Sequence, residues 1–226
     1  RGDAYSARFC IMATGCLSAA KVPDIPGLEN YQGEWYHTGA WPHEGVDFTG
    51  KTVGVIGTGS SAIQSIPLIA QQAKHLTVFQ RTANFSVPAH NGPLDDEYRA
   101  KMTTNYTAIR NEARNSPAGI LGRPMSDKSV QEAREEERNR EFEARWEIGG
   151  LGLGSAFNDV GLNLEANAIA AEFVRNKIRE IVKDPETAEL LCPRDYPFGT
   201  KRLCVDTDYY ATFNRDNVTL VDLRED

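Results

Sequence analysis

The chain is 226 residues long, 40% hydrophobic and 25% charged, with a formal net charge of −7. That composition is globular, and the acidic balance argues against nucleic acid or an anionic membrane as the main partner, while leaving room for a local basic pocket. No stretch approaches the roughly 18 apolar residues of a membrane span, and no signal peptide is visible. Cys10, Cys16, Cys192 and Cys204 form no C-x-x-C pair and the four histidines are scattered, so no metal site is expected, and reduced thiols in the cytoplasm are the default.

Taken in order, Tyr5 to Thr14 reads as a strand. It starts almost at once, without an initiator Met, so its partner strands are expected upstream in a longer protein. From Cys16 to Gly50 the chain is rich in Pro and Gly and reads as a linker. Thr52 to Gly57, TVGVIG, reads as a compact buried strand. The helix that follows, TGSSAIQSIPLIAQQA, sets Ile63, Ile66, Ile69 and Ala70 at helical spacing, with Pro67 as a possible kink. His75 to Gln80, HLTVFQ, is the next strand, which completes a right-handed βαβ unit.

Beyond it, Asp95–Asn115 and Ser126–Trp146 read as two polar helices, the second with the charge run EAREEERNREFEAR on a solvated face. Gly149 to Ser155, GGLGLGS, reads as a flexible joint or loop. Ala166–Val182 is an amphipathic helix, DPETAELL a short capped helix, and Asn217–Leu223 a final strand. The fold class is α/β: a Rossmann-like dinucleotide-binding domain over residues 51–226, with a helical insertion at about 93–192.

Gly57-Thr58-Gly59-Ser60-Ser61-Ala62 matches G-x-G-x-x-G/A after a strand and opening a helix. Gly57 permits the tight turn, Gly59 lets a pyrophosphate approach the backbone, and Ala62 lets helix pack on strand. The helix N-terminus offers N–H groups to phosphate. About 20 residues on, an NAD site carries a carboxylate. Here the sequence reads Phe79-Gln80-Arg81-Thr82. Arg81 offers a guanidinium to a 2′-phosphate and Thr82 a hydroxyl, which favours NADP(H). The alternative is an Arg81 that only faces solvent.

Tyr31-Gln32-Gly33-Glu34-Trp35-Tyr36-His37-Thr38-Gly39-Ala40-Trp41-Pro42 resembles the fingerprint F-x-G-x-x-x-H-x-x-x-W-[P/D] of type I Baeyer–Villiger monooxygenases, with Tyr31 in place of Phe. Met12–Ser18, MATGCLS, is similar to the A-T-G turn (here Thr14 and Gly15) of that family's FAD domain. FQRTANF resembles its NADP-phosphate strand end, and DYPFGTKRLCVDTDYYATFNRDNV the segment that carries a Lys-Arg pair to the active site. The motifs fall in family order along nearly the whole chain.

The resemblance implies a parent enzyme that uses NADPH, FAD and O2 to convert ketones to esters or lactones. It implies that residues 1–18 end an FAD-domain portion, that residues 19–50 form the linker with the fingerprint, and that FAD-domain segments of the same protein are the chain's partners. It implies that Arg202 holds negative charge beside the flavin, and that Lys201 joins Arg81 at the NADP 2′-phosphate. On an extended segment two adjacent residues point to opposite sides. His37 is implied in a supporting role that couples linker to domain movement, with Trp41 anchoring the linker and Gly33 as a motif position. The resemblance also implies that the chain by itself neither holds FAD nor oxidises a ketone. Two alternatives stay open: an N- or S-oxygenating flavin monooxygenase, and a non-catalytic dinucleotide-binding module.

Overall fold

The computed structural model describes residues 2–15, 19–116, 119 and 126–224. The chain divides into two compact units, Arg1–Asp47 and Phe48–Asp226.

The first unit has no strand among its described residues. It contains two short 3-10 turns, Leu28–Asn30 and Thr38–Ala40. The strand expected over Tyr5–Thr14 does not form. Tyr5, Phe9, Ile11 and Met12 are all largely exposed, and an extended segment without a neighbour has nothing to pair its backbone N–H and C=O groups with.

The second unit carries the core. Strand β1 (Thr52–Ile56) is followed by helix α1 (Ser60–Gln72) and strand β2 (His75–Gln80). β1 and β2 pair in parallel, Thr52 against His75 through Ile56 against Phe79. β5 (Val218–Asp222) adds on the far side of β2, also parallel, which gives the order β1-β2-β5. β2 is the central strand, and its alternation puts Leu76, Val78 and Gln80 fully inside. α1 presents Ile63, Ile66 and Ala70 at zero exposure to the same core. Fully burying an Ile side chain stabilises the fold by about 1.5–3 kcal/mol. Pro67 is buried inside α1, and the helix runs through it to Gln72 without a break.

β1 is not the buried strand expected from its apolar run. It lies at the edge of this sheet, Val53 and Val55 are half-buried, and Ile56 is 68% exposed.

The insertion differs from expectation in three places. The first polar helix is two, α2 (Asp96–Thr104) and α3 (Tyr106–Asn115), interrupted at Asn105. The second, α4, begins only at Glu135 and ends at Ile148, because residues 126–134 turn back on Ser155, Asn158 and Asp159. It is not a wholly solvated face: Phe142, Arg145 and Trp146 are buried, with Phe142 stacked on Phe173 at 5.3 Å. The expected flexible joint is a 3-10 turn, Gly150–Ser155, which buries Leu153.

α5 (Leu164–Ile181) is the amphipathic helix, capped by Asn163. α6 (Pro185–Leu191) is the short capped helix, with Asp184 accepting from Thr187 N. Two three-residue strands have no counterpart in the sequence reading: β3 (Ser86–Pro88) and β4 (Cys204–Asp206), which pair in parallel. Helix α7 (Tyr209–Thr212) follows β4 and packs against α1.

Candidate dinucleotide site

The glycine loop is the turn from β1 into α1. Gly57 has φ +99°, the left-handed region, and its N–H donates to Phe79 O at 2.9 Å, which fixes the turn to the end of β2. Gly59 caps α1 with φ −79° and brings no side-chain hydrogen bond, so the N–H groups of the first turn keep their donors free of a cap. A Cβ built at Gly59 meets no atom within 4 Å. The missing side chain leaves open space, where a ligand can approach the backbone. Ser60 and Ser61 are exposed and Ala62 is half-buried against the core.

Thr58 is buried and holds two loops together. Its Oγ1 donates to Thr82 O at 2.8 Å, and its own carbonyl accepts from Asn84 Nδ2 at 2.6 Å. Arg81 and Thr82 follow β2 directly. Arg81 is exposed, and among the described residues it has no carboxylate partner.

Lys201 and Arg202 precede β4, and both are exposed. Lys201 Nζ stands 4.1 Å from the centre of the Tyr196 ring. The Tyr196 hydroxyl lies 2.9 Å from Asn84 Oδ1 and 3.1 Å from Ala83 O, and accepts from Phe85 N at 3.3 Å. Burial pushes this phenol up, which keeps it a donor at neutral pH. The glycine loop, Arg81-Thr82 and Lys201 are therefore joined through Asn84 and Tyr196.

Further contacts fix the segment that carries Lys201 and Arg202. Asn167 is buried on α5, donates to Phe198 O at 2.8 Å and accepts from Phe198 N at 2.8 Å. Arg175 donates to Pro193 O at 2.8 Å. At the β3–β4 pair, Ser86 Oγ donates to Asp206 Oδ2 at 2.5 Å, and Asp206 Oδ1 accepts from Tyr209 N at 2.9 Å. Tyr210 donates to Asn84 O at 3.2 Å and accepts from Ser86 N at 3.1 Å. A cavity of about 230 Å³ lies against the Pro197–Thr200 turn, lined also by Leu162, Leu164 and Asn167, and no glycine-loop residue lines it.

Sequence reasoning passed over Asn84, Asn167, Tyr196, Ser86 and the anchoring of Asp206. Asn84 had a signal: an Asn two residues after the strand-end Arg81-Thr82, where a side-chain amide serves a neighbouring loop.

The fingerprint residues lie in the first unit. A Cβ on Gly33 would fall 2.5 Å from the Tyr31 hydroxyl oxygen, so this glycine lets the Tyr31 ring fold over the backbone. His37 Nδ1 accepts from Gly39 N at 3.0 Å and caps the turn Thr38–Ala40. Trp41 is 40% exposed and meets Tyr36 with ring centres 5.9 Å apart. Thr14 and Gly15 are exposed, with Gly15 at φ +75°. The rest of MATGCLS, residues 16–18, lies outside the described residues, as does Cys16 among the expected thiols.

No family model matches the chain. Curated relatives do. A Baeyer–Villiger monooxygenase of Pseudooceanicola batsensis is 44% identical over 227 residues, covering 100% of this chain and 41% of that protein. Cyclohexanone 1,2-monooxygenase of Acinetobacter is 45% identical over 99% of this chain and 41% of its own length. The chain is homologous to Baeyer–Villiger monooxygenases along its whole length. A phenazine N-monooxygenase of Lysobacter antibioticus is 43% identical over 99% of the chain and 41% of its own length. Among solved structures, an oxidised steroid monooxygenase bound to NADP superposes with a TM-score of 0.87 at 52% identity, over 91% of this chain and 39% of that one. The chain thus spans about two fifths of the Baeyer–Villiger relatives it matches.

Among the described residues, no helix is long and apolar enough to cross a membrane, and no group of three His, Cys, Asp or Glu is placed to hold a metal.

Proposed function

We propose that this chain is the NADP(H)-binding portion of a flavin-dependent Baeyer–Villiger monooxygenase that converts ketones to esters or lactones. The observation that carries it is the uncapped α1 N-terminus behind the open backbone of Gly59, tied through Thr58, Asn84 and Tyr196 to the segments that carry Lys201 and Arg81, the latter without a carboxylate partner among the described residues. These residues fit a dinucleotide with a 2′-phosphate. Gly57 to Ala62 hold the pyrophosphate, and Arg81, Thr82 and Lys201 hold the 2′-phosphate.

When bound, NADPH supplies a hydride and FAD the oxygen chemistry. This chain's residues orient and charge the site. Arg202 keeps its proton at any working pH and presents fixed positive charge where negative charge develops. His37 holds the linker turn through Gly39, and Trp41 anchors it beside Tyr36.

In this reading residues 1–18 end an FAD-domain portion and residues 19–50 form the linker. Residues 51–226 are the NADP domain with its insertion at about 93–192. The compact unit Phe48–Asp226 supports it. The remaining FAD-domain segments, ketone and O2 are the partners. Cys10, Cys192 and Cys204 are free thiols, which supports a reducing, cytoplasmic setting.

Calorimetric titration with NADP+ and with NAD+, on the full-length protein and its Arg81→Ala variant, tests the nucleotide. A preference for NADP+ that the variant loses is expected, and equal affinities overturn it. Product analysis tests the reaction: a lactone from a cyclic ketone is expected. The likeness to a phenazine N-monooxygenase favours N-oxygenation as a second reading, and an N-oxide without lactone would establish that instead.

A further inference from the structure

We propose that Tyr196 is a positioning residue that sets the preference for a 2′-phosphate, by holding Lys201 in register with the glycine loop through Asn84. The inference rests on the NADP(H) reading above.

A lysine ammonium on a four-carbon stem samples many rotamers, and ordering it on a ligand costs side-chain entropy. Lys201 is exposed, yet its Nζ already lies 4.1 Å from the Tyr196 ring centre, within the range of a cation–π contact. No acidic side chain pairs with it among the described residues, so its charge stays available to an anion. The ring itself is not free to swing. Its hydroxyl is engaged by Asn84 Oδ1, Ala83 O and Phe85 N, and its ring packs edge-to-face with Phe85, the ring centres 5.6 Å apart. Asn84 in turn donates to the carbonyl of Thr58, inside the glycine loop.

Three segments far apart in sequence, residues 57–62, 81–85 and 196–202, are thereby fixed to one another by two side chains. A pyrophosphate on the glycine loop then finds Lys201 and Arg81 at a set distance. A nucleotide with a bare 2′-hydroxyl makes no use of that arrangement. The contribution of Tyr196 belongs to NADP alone.

The test measures Kd for NADP+ and NAD+ on the full-length protein and on Tyr196→Leu, Tyr196→Phe, Lys201→Ala and the double variant Tyr196→Leu/Lys201→Ala, with a thermal melt of each. Tyr196→Leu is expected to weaken NADP+ about tenfold and leave NAD+ unchanged. Tyr196→Phe keeps the ring and loses the tie to Asn84, and is expected to weaken NADP+ by a smaller factor. The double variant is expected to lose no more than Lys201→Ala alone, because the two residues act as one unit. An unchanged NAD+/NADP+ ratio in Tyr196→Leu, or equal weakening of both nucleotides, overturns the proposal. If that variant does not melt cooperatively, Tyr196→Phe decides alone, and an unchanged ratio there overturns it. A parent protein without NADP+ preference overturns the nucleotide reading and this inference together. A parent with preference but insensitive variants overturns this inference only.

Discussion

Asn84 and Thr58 meet across the mouth of the site: the Asn84 amide donates to the Thr58 carbonyl at 2.6 Å, at the point where the glycine loop turns into α1. The oxygen of that amide, Oδ1, accepts from the Tyr196 hydroxyl at 2.9 Å. Asn84→Ala removes both bonds and leaves the carbonyl of a buried residue without its side-chain donor. The expected cost is about 1–3 kcal/mol of stability, read from urea melts, together with weaker NADP+ binding. A variant as stable as the parent would show that the tie is dispensable.

The two loop glycines should part company. Gly57 sits at φ +99°, where an alanine is strained whatever the space, and Gly57→Ala is expected to lose at least about 1 kcal/mol. Gly59 sits at φ −79° with nothing near its missing Cβ. Gly59→Ala is expected to melt within about 0.5 kcal/mol of the parent and still bind NADP+ about tenfold more weakly, a loss of about 1.4 kcal/mol. Calorimetry beside thermal melts separates the two effects, and full nucleotide affinity in Gly59→Ala would argue that phosphate does not approach there.

Arg202 is exposed and outside any ion pair among the described residues. Arg202→Ala is accordingly expected to leave the melting temperature and NADP+ affinity unchanged. Product formation by the full-length protein is expected to fall by about 10² or more, the scale of losing one preorganised electrostatic contact. Oxygenation at the parent rate would remove Arg202 from the chemistry.

Asp206 gives a pH signature. Burial raises its carboxyl above the ordinary 3.8, against the lowering effect of Ser86 and of the Tyr209 N–H. The folded state therefore favours the protonated acid. That contribution is full below the unfolded value and is lost as pH rises through the folded one. Asp206→Asn cannot titrate. Urea melts between about pH 4 and pH 7 are expected to show the parent gaining on the variant as pH falls. A constant difference across that range would mean that Asp206 is ionised throughout.

Much of this was legible in the sequence where short-range physics decides. β1, α1, β2 and β5 follow from apolar runs and helical spacing, and the glycine loop from two glycines at the strand end. Asp184 announces the start of α6 as a side-chain cap, while α5 starts two residues before the expected Ala166, at the unremarked cap Asn163. What could not be read depends on pairing across long stretches. β3 and β4 have three residues each and meet 118 positions apart, Ser86 against Cys204. The apolar run at Tyr5–Thr14 has strand chemistry and no neighbour. GGLGLGS has the composition of a joint, yet Leu153 needs a core and finds one. Of the candidate site, the residues proposed to meet ligand were named by motif, and the side chains that tie their segments together were not, because Asn84 and Tyr196 are 112 residues apart.

The Ser86–Asp206 pairing also has a consequence for biosynthesis. β3 emerges soon after the glycine loop, and its partner β4 is translated only after the whole insertion. Neither Tyr196 nor Lys201 exists on the nascent chain while β1, α1 and β2 are already outside the ribosome. The glycine loop must wait, with Asn84 lacking its tyrosine, until the insertion has been made. Pairings of such long sequence separation form slowly, so the β3–β4 pair and the Asn84–Tyr196 tie should form after β1, α1 and β2.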